Sequence, residues 1–137
     1  MNKQEVILCD RLTQNLSQAI ARIPHDRLFL LTDEHTHTLC LPLISDIPEV
    51  ASAKEIIIGA EDVHKNLETL AQVWMELSTQ GASRKSLLIN LGGGMLTDLG
   101  GFAASTFKRG IAFINIPTTL LAMVDAAVGG KTGINFN

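Results

Sequence analysis

The sequence predicts an α/β fold built on an open, mostly parallel sheet with helices on both faces. Three observations predict it. Short apolar runs alternate with segments of helical periodicity, the runs are apolar on successive residues, and polar candidates fall just behind them. A strand that alternates apolar and polar residues has one wet face; a strand that does not is covered on both faces, as in a parallel sheet flanked by helices.

The elements follow in order. "EVILC" (5–9) reads as a first strand, and Leu12, Leu16, Ala19, Ile20 and Ile23 then fall near helical spacing. "RLFLLT" (27–32) is the second strand. "LPLISDIPEVASA" (41–53) reads as an irregular connection, because Pro42 and Pro48 interrupt any helix. "EIIIG" (55–59) is the third strand, and Leu67, Leu70, Ala71, Trp74 and Leu77 mark a clearer helix that Gly81 stops. "SLLINL" (86–91) and "AFINIP" (112–117) complete five strands. The result is a Rossmann-like, doubly wound sheet with right-handed crossovers, whose ligands belong beyond the carboxyl ends of the strands. Thr32-Asp33, Asp62 after Gly59, Gly92 to Asp98, and Thr118-Thr119 all stand at such ends.

Composition narrows the partners. The 137 residues, 46% hydrophobic and 18% charged, suffice for one core. A net charge of -3 with scattered basic residues leaves no electrostatic footprint for nucleic acid or an anionic membrane. Small molecules are the expected ligands. "MNKQEVILCD" holds too short an apolar stretch for a signal peptide, and no later segment has the unbroken apolar length of a membrane span, so the expected location is the cytoplasm. Cys9 and Cys40 lie in apolar stretches, which suits small buried hydrophobes better than a disulfide framework.

The most telling stretch is "INLGGGMLTDLGG" (89–101). A strand ending in Gly92-Gly93-Gly94 and followed by a helix can bring backbone N–H groups to a diphosphate without side-chain obstruction, aided by the helix's positive end. The same glycines could simply form a tight turn, and the motif is neither G-x-G-x-x-G nor a Walker loop. Asp98 is expected in the helix's first turn, where the dipole alone favours a carboxylate. A functional Asp98 would instead accept hydrogen bonds from ribose or sugar hydroxyls. Gly100, Gly101, Ala103 and Ala104 give this helix a small surface that can approach the sheet or a cofactor.

In "FKRG" (107–110) Lys108 reads as a solvated cation, whereas Arg109 is either solvated or a bidentate partner for phosphate or carboxylate. In "IPTTLLAMVDAAVGGKTGIN" (116–135), Thr118 and Thr119 can cap a helix or bond a nucleotide. Asp125 interrupts an apolar helical run and needs a partner, while Lys131 on a Gly129-Gly130 loop suits a phosphate or solvent. "DEHTHTLC" (33–40) invites a metal assignment, but only His37 and Cys40 share a helical face, and two ligands do not make a site.

Taken together, "LGGGMLTDLGGFAASTFKRGIAFINIPTTLLAMVDAAVGGKTGIN" (91–135) closely resembles the central signature of the 3-dehydroquinate synthase family. "LLTDEHT" (30–36) resembles that family's strand ending in an aspartate on the adenosine ribose, and "GAEDVHKNL" (59–67) its G-E-x-x-K cofactor segment. There the sequence departs from the pattern: with Lys65 aligned, Asp62 stands at the usual glutamate and Glu61 at the usual glycine, so either acid could take the cofactor role. The resemblance implies an NAD-dependent lyase of the shikimate pathway that converts 3-deoxy-D-arabino-heptulosonate 7-phosphate into 3-dehydroquinate and phosphate, with NAD regenerated. It implies Gly93, Gly94 and Asp98 at the NAD diphosphate and ribose, Thr118 and Thr119 near the nicotinamide half, and Asp33, Glu61 or Asp62, and Lys65 at the adenosine end. Asp125 would contact substrate hydroxyls, Lys131 the substrate's phosphate end, and Arg109 the substrate phosphate of the neighbouring subunit in a homodimer. The family also uses a divalent metal, zinc or cobalt, held by a glutamate and two histidines of a mostly helical C-terminal domain; no residue here stands in for those ligands. Residues 1–137 are therefore expected to be the N-terminal nucleotide-binding domain, a fragment inactive by itself.

Three alternatives remain. Iron-dependent alcohol or glycerol dehydrogenases share a G-G-G loop and an I-P-T-T strand end, but diverge from Leu120 to Lys131. Other sugar-phosphate cyclases, making aminocyclitol or valiolone precursors, are poorly separated by this half. A non-catalytic NAD-binding module would have no use for Asp125 and Lys131.

Overall fold

The computed structural model describes residues 3–62 and 66–118. The first element is a correction. Residues 5–9 are not a strand: they belong to α1, Lys3–Arg22, a helix of 20 residues. A short apolar run has no period of its own, and neither glycine nor proline separates it from the helical spacing that follows. Helix formation therefore continues through it until Pro24 approaches. Leu16 and Ile20 are its fully buried anchors.

The sheet has four parallel strands among the described residues, in the order β2-β1-β3-β4. They are β1 (Leu28–Asp33), β2 (Lys54–Ile58), β3 (Leu87–Gly92) and β4 (Ala112–Pro117). β1 and β3, central in the order, are buried along nearly their whole length, as their unbroken apolar runs predict. The outer pair behaves differently. β2 and β4 intersperse buried with exposed or half-buried positions: β2 opens on Lys54 and Glu55, and in β4 the buried Ile114 and Ile116 alternate with half-buried Phe113 and Asn115.

The β1 to β2 crossover contains α2 (Glu34–Leu39), a 3₁₀ turn (Leu41–Leu43) and α3 (Pro48–Ala51). The expected irregular connection is thus partly helical. Pro48 starts α3 instead of breaking it, since the first helical position needs no N–H donor. Ile44, Ile47 and Val50 from this stretch join Leu16 and Ile20 over one sheet face, against Leu28, Leu30, Leu87, Ile89, Leu91, Ile114 and Ile116.

The other face carries α4 (Asn66–Thr79) and α5 (Gly94–Thr106), which cover Phe29, Leu31, Ile56, Ile58 and Leu88. The crossover toward β2 uses one face and the two in the opposite direction use the other, as a single handedness requires. Trp74 ties α4 to α5, its indole N–H directed at the Ala103 carbonyl at 3.3 Å and the Thr106 hydroxyl at 3.1 Å. Gly81 ends α4 as predicted. At φ 88° it permits the Gly81 N–H to reach Ser78 O and the Ala82 N–H to reach Leu77 O, a paired C-terminal cap.

At the amino edge of the sheet, the Asp26 carboxylate accepts hydrogen bonds from the Ser83 and Ser86 hydroxyls, linking the approach to β1 with the approach to β3. These two bonds hold its pKa below the ordinary aspartate value. The unfolded chain then binds the proton more readily, so this contribution is present above the ordinary value and is lost as pH falls through the lowered folded one. Asp26→Asn is expected to destabilise at neutral pH, and the gap from wild type should narrow in acid. Denaturant midpoints measured between about pH 7 and about pH 2 test this, and a gap that does not change with pH would refute the assignment.

Candidate functional site at the carboxyl edge of the sheet

The strand order reverses direction between β1 and β3, since the chain passes from β1 to one side and returns to build the other. Such a switch point opens a crevice beyond the strand ends, because the adjoining crossovers leave on opposite faces. The register makes the edge level: Asp33 pairs with Ile58 and Gly92 with Pro117. Asp62, Asp33, Gly92-Gly93-Gly94 and Thr118 therefore follow the four strands along one edge, as the sequence predicts.

The glycine loop is short. Gly92 closes β3, Gly93 is the N-cap of α5, and Gly94 is the first residue of the helix. Gly93 has no side chain to cap with, and the first helical bond runs from the Thr97 N–H to Gly93 O at 3.0 Å. The amides of Gly94, Met95 and Leu96 consequently have no helical carbonyl to bond and point out of the helix end. Among the described residues, a Cβ at Gly94 would meet nothing within 4 Å, and one at Gly93 would meet only the Thr118 hydroxyl at 3.8 Å. Gly92 is different: a Cβ there would lie 2.8 Å from that of Leu96. One glycine thus lets the helix sit on the strand, while the next two leave room in front of free donors.

Asp98 is the fifth residue of α5 and not in its first turn, because the helix begins directly at Gly94. The dipole therefore favours it less than expected, since that effect fades beyond the first turn. It is exposed on the outer face, between Met95 and Phe102, which are 48% and 56% exposed. The small residues are sheet-facing: Gly100, Ala103 and Ala104 are buried, which resolves their role in favour of close packing.

Asp33 caps α2. Its Oδ1 accepts from the His35 and Thr36 N–H groups, both at 2.8 Å, and the Thr36 hydroxyl accepts from the Asp33 N–H at 2.9 Å. Both of these side-chain bonds use one oxygen, Oδ1, and the residue is half-buried at the end of β1. The adjacent Glu34, which the sequence does not single out, accepts the Ala60 N–H at 2.9 Å and ties the loop after β2 to the end of β1. Asp62 is half-buried and its carboxylate lies over Gly59; Glu61 is exposed. His37 Nδ1 faces Glu55 Oε2 at 2.7 Å, and the Thr32 hydroxyl donates to the same oxygen at 2.8 Å, so Thr32 is turned inward. Among the described residues no three His, Cys, Asp or Glu side chains are grouped to hold a metal.

Arg109 is not in this crevice. It lies in the 3₁₀ turn Phe107–Arg109 after α5, at the amino edge of the sheet, separated from the glycine loop by a helix about 20 Å long. Lys108 and Arg109 both have positive φ, 47° and 73°, a strained pair that Gly110 at 111° completes. Lys108 is not simply solvated: its Nζ donates to Ala82 O at 3.1 Å and stands 5.5 Å from the Phe107 ring centroid. That tether leaves Arg109 exposed. Lys65, Thr119, Asp125 and Lys131 lie outside the described residues.

Fold and edge together define a doubly wound α/β domain with an open glycine loop at its switch point. The model of the 3-dehydroquinate synthase N-terminal family matches residues 55–137, and the chain belongs to that family. It is 55% identical over all 137 residues to the 3-dehydroquinate synthase of Parabacteroides distasonis, covering 39% of that protein. It is 46% identical over 114 residues to that of Thermococcus kodakarensis, covering 83% of this chain and 33% of the relative. The chain thus spans well under half the length of these relatives. Among solved structures, 2-deoxy-scyllo-inosose synthase aligns with a TM-score of 0.65 at 22% identity, over 78% of this chain and 31% of the other. A 2-epi-5-epi-valiolone synthase from Streptomyces hygroscopicus, with NAD+ and Zn2+ bound, aligns at 0.59 and 31% identity, over 85% and 33%.

Proposed function

We propose that residues 1–137 form the NAD-binding domain of a cytoplasmic, homodimeric 3-dehydroquinate synthase, inactive without the rest of such an enzyme. The observation that carries the reading is the open space before Gly93 and Gly94, where unbonded helix-end amides face outward at the switch point. Kinship supports the choice of reaction: 3-deoxy-D-arabino-heptulosonate 7-phosphate would lose phosphate and close to 3-dehydroquinate. When bound, NAD would accept a hydride from a ring carbon that bears a hydroxyl, leaving a ketone and a proton, and would return the hydride after elimination.

The chain's own residues bind and orient. The Gly93-Gly94 amides hold the diphosphate, Asp98 accepts from a ribose hydroxyl, and Thr118 and Thr119 border the nicotinamide half. Oδ2 of Asp33 accepts from the adenosine ribose while Oδ1 keeps the side chain fixed as a cap. Glu61 or Asp62, with Lys65, closes that end. Asp125 positions substrate hydroxyls and Lys131 the phosphate end. Arg109, remote from its own crevice and exposed on a strained turn, fits a role across the dimer at the partner's substrate phosphate. A divalent metal, zinc or cobalt, would require ligands from outside these residues.

Calorimetric titration of the chain with NAD, beside Asp98→Ala, tests the proposal. Wild type should bind without turnover, and the variant should lose about 10- to 100-fold in affinity, as one hydrogen bond to a charged acceptor is worth about 1.5–3 kcal/mol. A folded chain giving no heat with NAD would refute it. The 31% identity to a solved 2-epi-5-epi-valiolone synthase favours one second reading, in which a different sugar phosphate is cyclised; turnover of 3-deoxy-D-arabino-heptulosonate 7-phosphate, or its absence, in an enzyme that carries this domain separates the two.

A further inference from the structure

We propose that Asn90 is a positioning residue for the glycine loop: its buried amide, fitted beneath the bare Cα of Gly100, sets the height of α5 over the sheet. Set in β3 between Ile89 and Leu91, both fully buried, Asn90 is 0% exposed. Its Nδ2 donates to Asn115 Oδ1 on β4 at 3.0 Å, and its own Oδ1 is buried with no hydrogen-bond partner among the described residues. A carbonyl left so is costly, and an apolar residue in its place would avoid that cost. What the amide does instead is steric. A Cβ at Gly100 would come within 2.8 Å of Asn90 Nδ2 and nearer still to Cγ and Oδ1.

The amide has little room to yield, because its other end is bonded to Asn115. Two further contacts seat the same helix: Gly92 beneath Leu96, and Gly101 over Phe113, where a Cβ would stand 3.3 Å from the ring. Gly92 and Asn90 are alternate residues of β3, and Leu96 and Gly100 are one helical turn apart. Strand and helix thus interlock at two successive steps on either side of Gly93 and Gly94. A methyl group at Gly100 would lift the helix, and the amides of Gly94, Met95 and Leu96 would move with it.

Four forms of the chain test this: wild type, Gly100→Ala, Asn90→Ala and the double variant. The first readout, independent of any ligand, is the amide NMR positions of Gly93, Gly94 and Met95. The second, which rests on the NAD reading, is affinity for NAD. Gly100→Ala should displace the loop resonances and weaken NAD about tenfold or more, whereas adding Asn90→Ala should return the resonances and bring affinity within about threefold of wild type. Asn90→Ala alone, which empties the seat beneath Gly100, should also move the loop resonances, in the sense opposite to Gly100→Ala, and unmoved resonances in that variant would overturn the proposal. A Gly100→Ala chain that is less stable to heat but has unmoved loop resonances would overturn the proposal, as would displaced resonances that Asn90→Ala does not restore. If Gly100→Ala does not fold, the double variant decides: native loop resonances support the fit, and failure to fold refutes it. Absence of NAD binding by wild type would defeat the nucleotide reading while the resonances still decided the role of Asn90.

Discussion

Gly94→Val is expected to weaken NAD binding by at least about a hundredfold while leaving thermal stability almost untouched. The two halves of this expectation have separate causes. Gly94 is the first residue of α5, its backbone is outside the left-handed region, and a Cβ built there touches nothing within 4 Å among the described residues. Valine can therefore enter the apo chain without strain, and surface substitutions of this kind stay within about 0.5 kcal/mol. The branched side chain would nevertheless fill the space in front of the Gly94 and Met95 amides. A diphosphate forced to withdraw from two charge-assisted bonds loses about 3–6 kcal/mol at about 1.5–3 each, which is a hundredfold or more in affinity. Calorimetry and a thermal melt on the same sample test both halves. Full-strength binding by the variant would remove the glycine loop from the nucleotide site.

Gly92 sharpens the contrast, since the same motif holds a glycine of the opposite kind. Its missing side chain is required by Leu96 and not by a ligand. The sequence run of three glycines does not distinguish them; only the path of the helix does. The strands from 27 to 117 and the carboxyl-edge location of the candidate residues were legible because parallel strands advertise themselves by unbroken apolar runs. Residues 5–9 misled for the same reason: a five-residue apolar run satisfies a buried strand or one face of a helix equally, and the decision rested on the absence of a break before Leu12. Pro48 misled because a proline that ends one helix may equally begin another. Asn90 carried a visible signal, an amide inside "SLLINL", but its partner Gly100 is apparent only when α5 lies on β3. The remoteness of Arg109 from its own crevice likewise follows from the helix between them, which the spacing of motifs along the chain does not convey.

Phe29→Ala is expected to cost about 3–5 kcal/mol of folding stability, the range for removing a fully buried aromatic ring. Phe29 lies near the start of β1, one of the two inner strands, and packs on the side covered by α4 and α5. Its neighbours Leu88 and Ile56 are also fully buried, so surrounding side chains have little freedom to collapse into the space. Against a typical total of about 5–15 kcal/mol, such a loss brings a domain near the point where the unfolded form is populated. The ring is far from the carboxyl edge, so its effect on NAD should come only through the folded fraction: apparent affinity falls in proportion to that fraction, while the site in each folded molecule is unchanged. A stabilising osmolyte such as sucrose, which favours the compact state, should then restore binding to Phe29→Ala and do nothing for Gly94→Val. Urea midpoints and NAD titrations with and without sucrose make the comparison. If sucrose refolds Phe29→Ala without restoring its affinity, the core on that face also shapes the crevice, and Phe29 has a binding role besides its packing role.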